Sequence, residues 1–171
     1  MNSMLNLNDI KQMIEKNGMI SDFINLEKQI QPSGFDLSLK EVYHYENSGA
    51  VDFSNEERVI ARTKKIKPDS DGWYKLQEGC YTVIYNEIVK IPLDIVAIAR
   101  PRSTMLRNGA TVETAVWDPG YQGRSSSLLI IYNPFGLRIK ENARIAQLIF
   151  YNIDFVEKGY SGIYQRERIA K

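Results

Sequence analysis

Short runs of β-branched and aromatic residues, each followed by turn-forming residues, recur along the chain and constrain its fold more than any other feature. The clearest runs cover residues 81–85, 88–91, 95–99, 128–132 and 143–155. Val, Ile, Tyr and Thr fit a pleated, half-buried surface, and Pro, Gly and Asn divide it into short pieces. Many short strands separated by regular turns predict an all-β barrel or sandwich.

The first eighteen residues predict an N-terminal helix. Asn6 or Asn8 can cap its N-terminus, apolar residues follow at helical spacing, and Gly18 can end it. We expect the apolar face of this helix to pack in the core.

The middle of the chain offers no domain boundary. Residues 41–65 predict further short strands with cores at 51–53 and 59–61, and residues 64–72 predict an exposed loop too short to link domains. A length of 171 residues suits one domain with a sizeable core. We therefore expect residues 1–171 to form a single domain in which residues 157–171 are a mobile tail able to close a site.

Composition excludes several classes of function. A formal net charge of +1 gives no basis for a nucleic-acid-binding surface. Cys80 is the only cysteine and His44 the only histidine, which excludes an intrachain disulfide, a thiolate metal cluster and a His-rich zinc site. No apolar run reaches the length of about 18 residues that a membrane span needs. The N-terminus lacks a secretory signal pattern, so we expect a cytoplasmic protein without nucleic-acid or membrane partners.

One turn sequence can present a carboxylate to a cleft. Asp118-Pro119-Gly120-Tyr121 has the residues of a type II turn, with Pro at the second position and Gly at the third. Asp is ionised at neutral pH and can take a proton from water. Asp118 is therefore either a general base or only the first residue of the turn.

A basic, hydroxyl-rich patch precedes this turn and contains Arg102, Ser103, Thr104 and Arg107. Guanidinium groups bind phosphate oxygens in a fork, and hydroxyl groups add donors. If Ser103 begins a short helix, its free N–H groups would add to an anion site. The alternative is a solvated basic loop. The patch is not a Walker loop, because it lacks a Gly-rich run ending in Lys-Ser or Lys-Thr.

Four segments in order resemble the motifs of the trimeric dUTPase and dCTP deaminase superfamily, and within it those of the archaeal-type dUTPases. They are residues 31–37 (QPSGFDL), 101–103 (PRS), 115–123 (AVWDPGYQG) and 143–148 (ARIAQL). One motif alone would be a weak signal, whereas four in order make a specific match. The resemblance implies a dUTPase-like distorted β-barrel, with one N-terminal helix and a short helix after the phosphate motif, assembled as a homotrimer.

The resemblance also implies a reaction, the hydrolysis of dUTP to dUMP and pyrophosphate with Mg²⁺, in which Asp118 activates the attacking water. Tyr121 would pack under the deoxyribose, and Gln147 would support the phosphate site from a neighbouring subunit. No residue is expected to bind the metal directly; Asp36 would either hold water around it or form a structural hydrogen bond. The implied substrate-binding residues are Arg102, Ser103, Thr104, Arg107, Thr114, Ala115, Tyr121, Gln147, Tyr164 and Gln165.

The C-terminal segment departs from the pattern of the dUTPases. It lacks their Gly-rich arm and looks like the Tyr-x-Gly-x-Tyr-Gln ending of the deaminase branch, here Tyr160 to Gln165. Such a tail could fold over a nucleotide, with a ring near the base and Arg on phosphate. Disorder is the default expectation for a terminus.

The strand after the hairpin separates the two reactions of the superfamily. Its deaminases need a glutamate there, and alignment on Tyr132-Asn133 puts Ile130 at that position. Residues 119–140 contain no acid, and isoleucine cannot move protons. dUTP hydrolysis is therefore the preferred interpretation. A dCTP deaminase, a bifunctional enzyme and a catalytically silent nucleotide-binding barrel are the alternatives.

Overall fold

The computed structural model describes residues 3–169 and confirms the mainly β fold predicted from the sequence. The helices are α1 (Leu7–Asn17), α2 (Leu26–Gln29) and α3 (Ser103–Arg107). The strands are β1 (Ile20–Ser21), β2 (Ile30–Gln31), β3 (Gly34–Tyr45), β4 (Thr63–Ile66), β5 (Trp73–Leu76), β6 (Gly79–Tyr85), β7 (Ile88–Lys90), β8 (Ile95–Pro101), β9 (Ala110–Glu113), β10 (Gln122–Gly123), β11 (Ser126–Ile131), β12 (Leu137–Lys140) and β13 (Arg144–Asn152). The sequence pattern predicts α1, and the family resemblance implies α3, but neither gives a sign of α2.

The main sheet has eight strands and curves into a nearly closed barrel. Six of them follow the order β8-β13-β3-β6-β11-β9, and β2 and β4 also pair with β3. Two smaller sheets, β1-β7-β10 and β5-β12, complete the fold. The segments that resemble the first, second and fourth motifs of the family therefore lie on or next to three neighbouring strands, β3, β8 and β13.

The core lies beneath these strands. Phe35 and Leu37 of β3 and Leu148 and Phe150 of β13 are 0% exposed. Full burial of one such side chain contributes roughly 1.5–3 kcal/mol. This packing holds β3 and β13 in one register, which fixes the polar residues that alternate with the apolar ones.

Helix α1 has the ends that the sequence predicts. Asn6 is the N-cap, and its side chain accepts hydrogen bonds from the backbone N–H groups of Asn8 and Asp9. Gly18 ends the helix in the left-handed conformation, at φ 62°. The buried Ile10 and Ile14 form the face that packs in the core, as expected. None of the helices described over residues 3–169 is long and apolar enough to span a membrane.

The segment between β3 and β4 differs from the prediction. The strands predicted around 51–53 and 59–61 are wrong, because the segment is a loop held by an isolated bridge between Ala50 and Val59. Val51 is 93% exposed and Phe53 is fully exposed. Apolar and β-branched residues favour a strand only where a neighbouring strand offers hydrogen bonds and a packing surface, and this loop has no such neighbour within the described chain.

Candidate active site

The predicted turn after Trp117 is present and carries Asp118. The N–H of Tyr121 donates to the carbonyl oxygen of Asp118 over 3.1 Å, and Gly120 has φ 82°, as the third residue of a type II turn requires. Trp117 anchors the base of the turn, because it pairs with Ala97 of β8 and its side chain is buried. The turn therefore holds the exposed carboxylate of Asp118 in a fixed place.

A cavity of about 550 Å³ opens beside this turn. Four residues that the sequence predicts as functional line it: Ala115, Asp118, Tyr121 and, from the tail, Tyr164. The volume lies within the usual range for ligand sites, roughly 300–1,000 Å³. Thr114 precedes Ala115 and is half-buried, but it does not line the cavity.

A second polar cluster joins the other motifs, and Asp36 is its centre. Asp36 is 1% exposed, and its Oδ2 lies 3.0 Å from Nε of Arg102 and 3.2 Å from Nη1 of Arg144. Arg102 also donates from Nη1 to the carbonyl oxygen of Arg144 over 3.3 Å. Burial raises the pKa of Asp36, and the charges of the two arginines oppose that rise. The carboxylate thus ties together the first, second and fourth motif segments.

The other predicted phosphate-binding residues surround this cluster. Ser103, Thr104 and Arg107 lie exposed on α3, as the sequence predicts for a short helix there. Gln147 lies on β13 between Asp36 on one neighbouring strand and Arg100 on the other.

The two groups of predicted residues are separated within one chain. None of Arg102, Ser103 and Gln147 is among the described residues that line the cavity beside Asp118. Trp117 pairs with Ala97, and Arg102 lies five residues further along that chain segment, or roughly 16 Å at the usual rise of a strand. The candidate general base and the candidate phosphate-binding arginine therefore lie in different parts of one subunit, and of these two described residues only Asp118 lines the cavity.

The described part of the tail packs against the turn. Gln165 accepts a hydrogen bond from the N–H of Gln122 and donates from Nε2 to the carbonyl oxygen of Gly120, each over 2.8 Å. The N–H of Arg166 donates to the carbonyl oxygen of Gln122 over 2.7 Å. Of the two predicted tail residues, Tyr164 lines the cavity, whereas Gln165 fixes the tail to the backbone beneath it.

The sequence analysis does not predict the roles of two acidic residues, one beside the cavity and one behind Asp36. Glu167 lines the cavity and accepts a hydrogen bond from the hydroxyl of Tyr121 over 2.9 Å. Its position in a charged C-terminal run gives no sign of this contact. Tyr121 is 6% exposed, and burial is the largest cause of its raised pKa, followed by the charge of Glu167.

Glu87 is the other such residue, and it lies behind Asp36. Its carboxylate is 0% exposed and accepts hydrogen bonds from Nε2 of Gln29 at 2.6 Å and from Oγ and N of Ser38 at 2.5 and 2.9 Å. Gln29 also donates to the carbonyl oxygen of Asp36 over 2.9 Å. Burial raises the pKa of Glu87, and the hydrogen bonds oppose that rise. The sequence predicts a turn at Asn86-Glu87 but not the burial of its second residue.

The described residues do not fit a resident metal ion. No three His, Cys, Asp or Glu side chains of residues 3–169 form a group that could hold one. Asp36 is already shared by two guanidinium groups. Mg²⁺ commonly binds through substrate phosphates and water, so such an ion would arrive with a triphosphate as part of the substrate.

The sequence model of the dCTP deaminase-like family matches residues 4–153. The chain belongs to this family. A Methanosarcina mazei protein named "Probable deoxyuridine 5'-triphosphate nucleotidohydrolase" is 50% identical over 167 residues, covering 96% of this chain and 98% of the relative. The deoxyuridine 5'-triphosphate nucleotidohydrolase of Methanocaldococcus jannaschii is 41% identical over 84% of this chain and 92% of the relative. Within the dCTP deaminase-like family, the chain thus belongs with these nucleotidohydrolases, which are enzymes.

A solved structure shares the fold. The 2'-deoxycytidine 5'-triphosphate deaminase from Agrobacterium tumefaciens has a TM-score of 0.66 and 20% identity over 88% of this chain, which spans 48% of that chain. This likeness concerns the fold alone. The family match ends at residue 153, so the tail that contacts Tyr121 lies outside it.

Proposed function

We propose that the chain hydrolyses dUTP to dUMP and pyrophosphate at a site shared between subunits of a homotrimer. The observation that carries the proposal is the exposed carboxylate of Asp118, held beside Tyr121 at the edge of a cavity of nucleoside size. The 50% sequence identity with a relative named as a nucleotidohydrolase, over 96% of this chain, supports the same reaction.

Asp118 is the general base of this reaction. Its carboxylate takes a proton from a water molecule, and the water oxygen forms a bond to the α-phosphorus of dUTP. The bond between the α-phosphorus and the bridging oxygen breaks, and pyrophosphate leaves with the electron pair of that bond. A positioned carboxylate of this kind contributes about 10²–10⁴-fold to a rate.

The cavity binds the nucleoside. Backbone groups at Thr114 and Ala115 read the base, and the ring of Tyr121 packs under the deoxyribose. Tyr164 closes the cavity from the tail side, and Gln165 keeps the tail in place. Support comes from the three of these residues that line the cavity and from the hydrogen bonds of Gln165.

The phosphates are bound by a neighbouring subunit through Arg102, Ser103, Thr104, Arg107 and Gln147. Ala97, the partner of Trp117, lies roughly 16 Å from Arg102 along the chain, which supports this division of the site. A magnesium ion that arrives with the triphosphate would offset negative charge on the leaving pyrophosphate.

Deamination of dCTP has less support. Ser125 and Ser126, at the start of β11, line the cavity, whereas Ile130 lies four residues beyond Ser126, or roughly 13 Å along the strand. A neutral hydroxyl group is a very weak base, so these two serines cannot replace a carboxylate as the acceptor of a proton from water.

The test offers the purified protein dUTP, dCTP and dTTP separately with Mg²⁺ and measures pyrophosphate and ammonia. We expect pyrophosphate from dUTP, little from dTTP and no ammonia from dCTP. Ammonia from dCTP would assign the chain to the deaminases instead. Binding of dUTP without any product would identify a silent nucleotide-binding barrel.

A further inference from the structure

The ring of Tyr121 is enclosed by the tail on the side away from the core. Its hydroxyl donates to Oε1 of Glu167 over 2.9 Å, and the side chain of Glu167 is only 15% exposed. The ring of Tyr160 contacts it edge to face, with centroids 5.7 Å apart. Because a hydrogen bond to a buried charged group is stronger than one in water, this contact restrains the ring.

Gly123 leaves no free space beneath the hydroxyl. A Cβ atom at this position would lie 2.5 Å from Oη of Tyr121 and 3.1 Å from Cγ of Glu167. Any side chain at residue 123 would therefore displace the tyrosine, the glutamate or both. The side chains of Tyr121 and Glu167 both pack against the backbone of Gly123.

Backbone hydrogen bonds fix the position of Glu167 itself. Its carbonyl oxygen accepts from the N–H of Arg124 over 3.0 Å, and its carboxylate forms a salt bridge with Arg168. Both the backbone and the carboxylate of Glu167 are thus held by neighbouring residues. It can serve as a fixed acceptor for the tyrosine.

We infer that Glu167 is a positioning residue that sets the preference of the site for deoxyribose over ribose. The inference rests on the proposed function, in which the ring of Tyr121 packs under the sugar. A side chain that packs against the sugar rejects one added hydroxyl group only if it cannot move away. Its selectivity therefore depends on the groups that hold it in one rotamer. Glu167 supplies that lock from the tail.

The experiment compares dUTP with UTP in the wild type, four test variants and one control variant. The turnover ratio is kcat/KM for dUTP over that for UTP, and calorimetric Kd values for dUMP and UMP give the same preference without turnover. Glu167→Ala removes the acceptor, Glu167→Gln keeps an oxygen acceptor, and Tyr121→Phe removes the donor. The fourth variant combines Glu167→Ala with Tyr121→Phe, and Glu157→Ala, an exposed glutamate at the start of the tail, is the matched control.

We expect Glu167→Ala to lower the preference for deoxyribose about 3–10-fold in both measurements, as for the net loss of one typical hydrogen bond. Glu167→Gln should restore most of the preference, Glu157→Ala should leave it unchanged, and the double variant should lose no more than the larger single effect. Equal losses for dUTP and UTP in Glu167→Ala would overturn the inference, because they would mean a structural role alone. Additive effects in the double variant would do the same.

The proposed function can fail separately. Absence of pyrophosphate from the wild type with dUTP would reject hydrolysis, while the Kd ratio of dUMP to UMP would still test Glu167. A wild type that binds UMP as tightly as dUMP would overturn the inference, whatever its turnover.

Discussion

Asp36 and Arg102 form a salt bridge of 3.0 Å although they lie 66 positions apart in the sequence and the carboxylate is almost fully buried. Arg144 reaches the same oxygen from β13. Nε of Arg102 is engaged by the carboxylate, which fixes the plane of its guanidinium group. A phosphate-binding arginine whose orientation is fixed in advance loses less conformational entropy when the substrate binds.

Asp36→Asn should therefore weaken both the fold and substrate binding. The substitution keeps the shape but removes the charge, and breaking a buried pair costs roughly 3–5 kcal/mol. Because Arg102 is 29% exposed and Arg144 34% exposed, water can solvate both guanidinium groups in the variant, and burial already disfavours the charge of Asp36. We therefore expect a smaller loss, about 1–2 kcal/mol. Urea unfolding measures this loss, and a raised KM for dUTP accompanies it. Asp154→Asn, at an exposed position, is the control; equal stability of the two variants would contradict the prediction.

Asp118→Asn should abolish most turnover without loss of binding. The amide cannot accept the proton of water, so pyrophosphate release should fall by about 10²–10⁴-fold. Calorimetry with dUTP should give a Kd close to the wild-type value, since the phosphate contacts remain. Asp94→Asn, an exposed aspartate on the approach to β8, should behave as wild type. Near-normal turnover in Asp118→Asn would mean that another group activates the water.

Two inactive chains should restore activity when they assemble together. Asp118→Asn chains keep the phosphate-binding arginine, and Arg102→Lys chains keep the general base while retaining a positive charge beside Asp36. Random mixing into trimers by co-refolding gives about a quarter of the sites both intact residues if each site uses two subunits. The activity of the mixture is compared with that of each variant refolded alone.

The control for this mixture pairs Asp118→Asn chains with chains carrying both substitutions, which offer no intact general base. That mixture should stay inactive. No gain in the first mixture, with trimers verified by light scattering, would place both residues in the site of one subunit.

Glu87 should make stability depend on pH. Burial raises its folded pKa above the ordinary 4.5, so the stability that it contributes is complete below the unfolded pKa and is lost as pH rises through the folded pKa. Glu87→Gln cannot ionise, so the free energy of unfolding should differ more between wild type and variant at about pH 4.5 than at about pH 7.5. Urea unfolding at both pH values measures this change. For Glu57→Gln, on an exposed loop, the difference in unfolding free energy from wild type should be the same at both pH values. The same difference at both pH values for Glu87→Gln would contradict the prediction.

The features that the sequence predicted correctly depend on adjacent residues. The type II turn needs only Asp118 to Tyr121, and Gly120 is the residue that permits its backbone conformation. The ends of α1 follow in the same way from Asn6 and Gly18. Such elements depend on local backbone geometry, which a short stretch of sequence determines.

The partners of Asp36, Glu87 and Glu167 could not be predicted from the sequence. Each contact depends on which strands are neighbours and in which register they pair, and the sequence gives neither. Residues 51–53 make the same point, because their composition suits a strand but the fold places no strand beside them. The four motifs predicted the residues of the candidate site, and the resemblance implied that Gln147 acts from a neighbouring subunit. Neither indicated that Arg102 and Ser103 also lie away from the cavity beside Asp118 within one chain.

The contact between Asp36 and Arg144 spans 108 residues. This separation affects the order in which parts of the site fold during synthesis. Contacts so distant in sequence form slowly, because a long loop must close before they can stabilise anything. Strand β13 is the last of the described strands and leaves the ribosome after β3 and β8. During synthesis the hairpin with Asp118 can therefore form before β13 emerges, whereas the arginine cluster assembles only afterwards. In a nascent chain, the group of residues proposed to bind the triphosphate should thus form after the turn that carries Asp118.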